Sequence, residues 1–317
     1  MINKNTVGIF VLAFNRLQHL KKVINALSKY TKKNELIYIF ADNSKKNYTE
    51  VNQVHKYLKK LNSKKFKVII RNNNFGLKQN CWHAYDFMFK KYDKVICLED
   101  DTIIKKNFMS FMRKKLRSYQ YNKKIMSITG YAFPIKLPKN YHYDIFFSQR
   151  SNGWGQASWR RVWKLYKKNN EDHLEILLNK KKLSRLYKGG SDIVHMFVQD
   201  YLGFTNSIQI WWVWNILKNN GLCINPVNSL ITNIGFDGTG THYKGTIKKS
   251  SSTNILKKNL KSLKSNTINY DPSINKSFQD FFKISYKQNI LYNFFPMIVI
   301  ILFYKFKTKF TNFFKIY

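Results

Sequence analysis

The sequence predicts an α/β protein built on a mostly parallel, doubly wound sheet flanked by helices. Three observations lead there. Apolar runs of strand length are continuous rather than alternating as far as Thr129, as strands covered on both faces require. Between them, apolar residues return at helical spacing. Each run also ends in a polar cluster, and in an open parallel sheet those clusters share the ligand-binding edge.

The first strand is Val7-Gly-Ile-Phe-Val-Leu-Ala-Phe14, and Leu17, Leu20, Val23, Ile24 and Leu27 mark the helix after it. Leu36-Ile-Tyr-Ile-Phe-Ala41 is the second strand, closed by Asp42-Asn-Ser44, and Val51, Val54, Tyr57, Leu58 and Leu61 belong to the next helix. Phe66 to Ile70 predicts a third strand and Cys81 to Phe89 its helix. Val95-Ile-Cys-Leu98 predicts a fourth strand, Phe108 to Leu116 a helix, and Ile125 to Thr129 a fifth strand. Alternation at this spacing leaves short connections and a parallel order. From Pro134 to Gly155 the pattern breaks into turn residues and the aromatic stretch Tyr143-Asp-Ile-Phe-Phe147. Helices are predicted at Gln156 to Tyr166, Asp192 to Leu202 and Ile208 to Leu217, and Asn233 to His242 reads as a glycine-rich loop. Past Tyr243 the composition turns to Lys, Ser and Asn, as in a solvated linker. The expected organisation is a core domain over 1–245, a linker and helical extension over 246–290, and a basic amphipathic tail over 291–317.

With 317 residues, 44% hydrophobic and 23% charged, the chain is neither wholly disordered nor a polytopic membrane protein. Its 56 Lys and Arg against 17 Asp and Glu give +39, a field that attracts phosphates, anionic lipid or nucleic acid. The excess accompanies many Asn, Ile, Tyr and Phe, the residues of A/T-rich codons, so composition by itself is a competing account. Cys81, Cys97 and Cys223 are too few and too far apart for a disulfide framework or a zinc site. A short apolar run ending in Asn15-Arg16, with no cleavage site behind it, does not read as a signal peptide, and a cytoplasmic location is expected.

Glu99-Asp100-Asp101 at the end of a buried strand repel one another unless something compensates. A hard divalent cation, Mg2+ or Mn2+, holding a diphosphate does so; the other reading is acids complementing the dipole of the helix at Phe108. Arg16 offers a fork of donors to a diphosphate or is an ordinary exposed arginine. Asp42 accepts from a nucleobase or ribose, or turns the chain. His242 ligates metal or contacts phosphate, or does neither, and Asp237 beside Gly238 is a turn former in its simpler reading. Trp154, Trp159, Trp163, Trp211, Trp212 and Trp214 crowd the second half; such rings form platforms for sugars, but more of them are expected in the core.

The ordered set Phe14-Asn15-Arg16, Ile39-Phe40-Ala41-Asp42, Asn74-Phe75-Gly76 and Leu98-Glu99-Asp100-Asp101 resembles nucleotide-sugar glycosyltransferases of the GT-A (Rossmann-like) fold. More narrowly, it resembles bacterial family-2-type transferases related to animal N-acetylglucosaminyltransferase I. Gly130-Tyr131 with Pro134, Ser151 to Trp159, and Asn233 to His242 are similar to the same group, so the resemblance runs from Val7 to Tyr243. It implies a hexosyl or N-acetylhexosaminyl transfer from a nucleotide-sugar donor to a glycan or lipid-linked glycan acceptor. The transfer would be metal-dependent (Mn2+ or Mg2+) and inverting, in surface polysaccharide or lipooligosaccharide synthesis. The resemblance makes Asp101 the metal ligand, with His242 as a further one. It places Phe14, Asn15, Arg16, Asp42, Gly76, Glu99, Asp100, Trp154 and Gly155 at the donor. The chain departs from the pattern at Gly203-Phe-Thr-Asn-Ser-Ile-Gln-Ile-Trp-Trp212, where Asn206 stands in place of the relatives' aspartate base. An amide takes no proton at neutral pH. Either Asp200 or Asp192 substitutes, with Asp200 preferred, or the chain is an impaired partner subunit that binds donor or acceptor.

Asn293 to Tyr304 is strongly apolar but shorter than the ~18–20 residues of a spanning helix. Lys305, Lys307, Lys309 and Lys315 interleave with Phe306, Phe310, Phe313 and Phe314. That pattern suits a helix lying in an anionic membrane interface and competes with a helix packed on the domain. A peripheral place on the inner face of the membrane is expected. Nucleic acid is not an expected partner, because no binding motif is present and the acidic cluster would repel a polyanion.

Overall fold

The continuous apolar run at the N-terminus becomes an inner strand of an eight-stranded sheet, because Ile9 to Ala13 have no solvent-facing side. The protein is seen in a computed structural model, which describes residues 3–46, 48–61, 63–168, 171–237, 259–264 and 266–313. β1 (Asn3–Ala13), α1 (Leu17–Tyr30), β2 (Ile37–Ala41), α2 (Thr49–Leu61), β3 (Phe66–Ile70), α3 (Gly76–Lys91) and β4 (Tyr92–Glu99) follow the expected alternation. β1 to β4 run parallel in the order β3-β2-β1-β4, with Leu12 level with Glu99 and Ala13 level with Ala41. The polar clusters therefore leave the sheet side by side. Helix α1 buries Leu20, Val23, Ile24 and Leu27, the stripe its spacing predicts.

β5 (Thr102–Ile104), α4 (Phe108–Ser118) and β6 (Ile125–Thr129) come next, then β7 (Ile145–Ser148), β8 (Gln156–Trp159), α5 (Arg160–Lys167), α6 (His173–Leu178), α7 (Lys180–Tyr187), α8 (Ser191–Tyr201), α9 (Ile208–Lys218), β9 (Leu222–Pro226) and β10 (Ile231–Asn233). The sheet continues from β4 as β8-β6-β9-β7, mixed rather than purely parallel. β5 and β10 form a separate two-stranded antiparallel sheet.

Two local expectations are corrected. The stretch from Pro134 to Gly155, read as turns, contains β7. The helix expected from Gln156 begins only at Arg160, because Gln156 to Trp159 are a strand inserted antiparallel between β4 and β6. Its polar side chains are buried and satisfied across the sheet: Gln156 Nε2 donates to Ser127 Oγ (3.0 Å) and Ser158 Oγ to the Met126 carbonyl (2.8 Å). Trp159, Trp163, Trp212 and Trp214 are core residues, whereas Trp154 and Trp211 are half-buried.

Described residues beyond 258 make contacts with the sheet and its core. Lys261 bridges to Tyr143, Leu263 enters the main core, and the Leu263 N–H donates to Asp144 Oδ1 at 3.1 Å. α10 (Pro272–Phe281) packs Ile274 and Phe278 on Phe146 and Val227. α11 (Tyr286–Phe294) leads into α12 (Met297–Phe313), whose Met297, Ile300 and Ile301 are buried with Ile176, Val194 and Phe197 of α6 and α8. The other side of α12 exposes Ile298, Val299, Leu302, Phe303 and Phe306. Among the described residues no helix is long and apolar enough to cross a membrane.

Candidate active site

The parallel register converts four distant polar clusters into one surface. Arg16, just beyond β1, pairs with Asp100 and reaches Asp101 Oδ2 at 2.9 Å. The Phe14 N–H donates to Asp100 Oδ2 at 3.2 Å, and Asn15 lies half-buried between them. Compensation for the acids is thus provided within the chain by a guanidinium. One guanidinium for three carboxylates leaves them short of positive charge. Burial, with Asp101 and Asp100 as neighbours, lifts the Glu99 carboxyl to about 8. Burial also raises Asp100 to about 6, against the pull of Arg16. Among the described residues the Glu99 carboxylate accepts no hydrogen bond.

Asp42, after β2, is buried and its Oδ1 accepts from the N–H groups of Asn43 and Phe75, both at 2.9 Å. Its carboxylate thereby anchors the turn that carries Asn74-Phe75-Gly76 into α3. Gly76 sits at φ +72°, where a side chain is strained, and a Cβ would lie 3.0 Å from Asn206 Nδ2. Gly76 and the exposed Asn206 therefore share one rim. Arg71 opens the polar cluster after β3 that the sequence marks for this edge; its guanidinium lies over the Phe40 and Phe75 rings and donates from Nε to Asn80 Oδ1 at 2.9 Å.

The segment after β10 closes the acidic edge. The Ile234 N–H donates to the Asp101 carbonyl (2.9 Å), and His19 Nε2 lies 3.1 Å from the Ile234 carbonyl and 3.0 Å from Asp237 Oδ2. Gly235 packs so closely that a Cβ would collide with Asp101 Oδ2 and come within 2.9 Å of Arg16 Nη1. Trp154 meets Phe236 edge-on at 5.3 Å and Tyr131 at 4.8 Å, an aromatic wall beside the edge. Gly155 faces inward, where a Cβ would lie 2.9 Å from the Phe108 ring; it shapes the wall through its backbone. His242 lies outside the described residues.

Asp200, expected as the base, has its carboxylate engaged on both oxygens. Its Oδ2 is bound by Lys78 Nζ (2.9 Å) and His173 Nε2 (2.8 Å), and its Oδ1 accepts from the Ser207 N–H (3.1 Å) and Thr205 Oγ1 (3.4 Å). Although burial works the other way, these partners pull its carboxyl down to about 2. A carboxylate so fully engaged anchors the α8–α9 loop and is a poor proton acceptor. Asp192 is likewise taken, by the Arg150 guanidinium.

A parallel sheet with its acids on the carboxyl edge, closed by a mixed half, defines an α/β sugar-transferase fold of the GT-A kind. The sequence matches Glycosyl transferase family 2 over residues 8–177, more than half of the chain, and the protein belongs to that family. No curated protein matches it. Among solved structures, S. aureus TarS 1-349 in complex with UDP-GlcNAc is 13% identical, covering 50% of this chain and 46% of that one at a TM-score of 0.37. GalNAc-T7 with UDP, GalNAc and Mn2+ is 12% identical, covering 70% and 43% at 0.46. The mannosyltransferase PcManGT from Pyrobaculum calidifontis with GDP-Man and Mn2+ is 8% identical, covering 68% and 68% at 0.38. The chain spans less than half the length of the first two.

Proposed function

We propose that this glycosyltransferase moves a sugar from a nucleotide-sugar donor to a glycan or lipid-linked glycan acceptor with inversion, and that the acidic edge is its donor site. The observation that carries the reading is the convergence of Asp100 and Asp101 on a single guanidinium, Arg16, with the Glu99 carboxyl beside them raised by burial and by both acids. An edge short of positive charge favours a ligand that brings cations or hydrogen-bond donors.

Among the described residues no group of three or more His, Cys, Asp or Glu is arranged to hold a metal. Mg2+ and Mn2+ need only one or two carboxylates when substrate phosphates and water complete the shell, so the hard oxygens of Asp101 fit. Asp101 would hold such an ion, which when bound supplies Lewis-acid stabilisation of a departing nucleoside diphosphate. Arg16, released from Asp101, turns its fork to the diphosphate. Asp42 and the backbone it anchors face the nucleoside, and Trp154 offers a ring face to a sugar.

A thermal-shift panel of UDP-, GDP-, CMP- and dTDP-sugars, with and without Mn2+, tests this reading. Stabilisation by one nucleotide class that increases with Mn2+ is expected; a flat panel overturns it. A second reading is favoured by Asn206 at the rim together with the occupied Asp200 and Asp192: a subunit that binds donor without transferring it. Donor hydrolysis or transfer above background eliminates that alternative.

The outer face of α12, with Phe303 and Phe306 exposed beside Lys305, is proposed to rest on an anionic membrane surface on the cytoplasmic side. Deleting 291–317 would strip Ile300 and Ile301 from the core, so the sharper test is Phe303→Glu with Phe306→Glu. The double variant should keep its fold and lose sedimentation with phosphatidylglycerol vesicles; unchanged sedimentation overturns the docking.

A further inference from the structure

Behind the acidic edge lies a cavity of about 50 Å3 that no role above explains. Its walls include Leu77, Cys81, Tyr85, Cys97 and Ile208, and Glu99, Gly153 and Gln209 stand at its polar side. Buried thiols act as small apolar groups. The Tyr85 hydroxyl is occupied, donating to Gln156 Oε1 at 3.3 Å. The interior is therefore mostly apolar and poorly suited to water, which needs two to four polar partners.

The polar side has a defined chemistry. A Cβ on Gly153 would lie 3.2 Å from Glu99 Oε1 and 3.4 Å from Gln209 Oε1. Two acceptor oxygens thus flank a backbone kept bare of a side chain. The Gln209 amide nitrogen is already used, donating to Ser151 Oγ at 2.7 Å. A ligand entering here is asked for an N–H or O–H beside Glu99 and for a small apolar group behind it. Since ~10–15 Å3 of such space admits one water, the cavity has room for the few heavy atoms of an acetyl group.

We propose that this cavity receives the acyl methyl of a 2-acetamido group on the donor sugar, with the amide N–H donated to the Glu99 carboxyl oxygen Oε1. The enzyme then selects an N-acetylated hexosamine donor over the parent hexose. The proposal rests on the donor-site reading above and assigns its sugar class. A hexose presents a hydroxyl to Glu99 but leaves the apolar chamber unfilled. Leu77, 38% exposed at the rim, admits the substituent.

Titration calorimetry with Mn2+ tests this on the wild-type protein, using the matched pairs UDP-GlcNAc with UDP-Glc and UDP-GalNAc with UDP-Gal, plus GDP-Man and free UDP. At least one acetylated donor should bind about 10-fold or more tighter than its hexose partner, the discrimination a filled apolar pocket delivers. Leu77→Trp, a change at an exposed position, should close the mouth and weaken that donor about 10-fold while free UDP stays within about twofold. Matched donors binding within about twofold, preference for GDP-Man, or equal weakening of UDP and the acetylated donor by Leu77→Trp each overturn the pocket but leave the donor site standing. A protein that binds none of these nucleotides overturns the pocket, and the donor-site reading falls with it when the CMP- and dTDP-sugars of the thermal-shift panel are flat as well.

Discussion

At the carboxyl ends of β1 and β4 two acids share one guanidinium and a third, Glu99, stands beside them without one, whereas at the α8–α9 junction one acid, Asp200, collects Lys78, His173, the Ser207 N–H and the Thr205 hydroxyl. Both places are buried, yet their carboxyl groups move in opposite directions, to about 8 and about 6 for Glu99 and Asp100 and to about 2 for Asp200. Burial penalises a charge in each case, and the number of partners decides the sign. Acids left short of partners are held in place by the rest of the fold and are open to a ligand. An acid with every lone pair engaged holds the fold itself. The contrast separates binding from structure more cleanly than either residue type or burial alone.

The largest test of this contrast is Asp101→Asn. It should lower kcat/KM for sugar transfer by about 10³-fold, the scale of losing a preorganised electrostatic group, with no loss of thermal stability because it relieves repulsion. Retention of the full transfer rate would remove Asp101 from the site. Next is Gly235→Ala, whose Cβ collides with Asp101 and crowds Arg16. Donor affinity should fall about 10- to 100-fold, as for changes that disorient a ligating side chain, and unaltered calorimetric affinity would show that the contact is idle.

At the other centre, Asp200→Asn should cost about 2 kcal/mol of unfolding free energy at pH 7, because a pKa lowered to about 2 is stabilisation by the charged form. That contribution is complete above the ordinary aspartate value. It disappears as pH falls through about 2, so wild type and variant should converge in acid-denaturation curves. Donor affinity should stay within about twofold; a large loss of turnover with unchanged stability would restore Asp200 as the base. An effect of the opposite sign is expected for Glu99→Gln without divalent cation. Glu99 is raised in the folded state, so the native protein binds the extra proton, and its stability falls as pH climbs from the unfolded carboxyl value towards about 8. The variant's advantage over wild type should grow steadily as pH rises through that window, measured by urea unfolding at several pH values. A constant difference would contradict the shift.

Much of the first half was legible because burial on both faces writes a continuous apolar run, and the polar residues ending each run mark the edge without any tertiary information. Arg16, Asp42 and Glu99 to Asp101 were assigned to that edge in this way, and the parallel register puts them there. β8 was not legible: Gln156 and Ser158 look unsuited to a central strand until Ser127 and Met126 supply their partners. The partners of Asp200 were not legible for the same reason, since Lys78 lies 122 residues away in sequence. Gln209 and the cavity behind Glu99 carried no signal, as a void has no sequence pattern. The C-terminal helices read as an appendage because their apolar residues could be matched to lipid or to protein with equal ease.

What the amino-acid order determined alone was the alternation, the direction of the strands and the identity of the residues at the mouth of the sheet, all consequences of local periodicity and steric preference. Only the folded chain decided which charges meet. Arg16 lies between Asp100 and Asp101, Asp200 is surrounded by donors, and the two sides of α12 are divided between core and solvent. The physical reason is that electrostatic and packing energies depend on separation in space, which sequence separation leaves open.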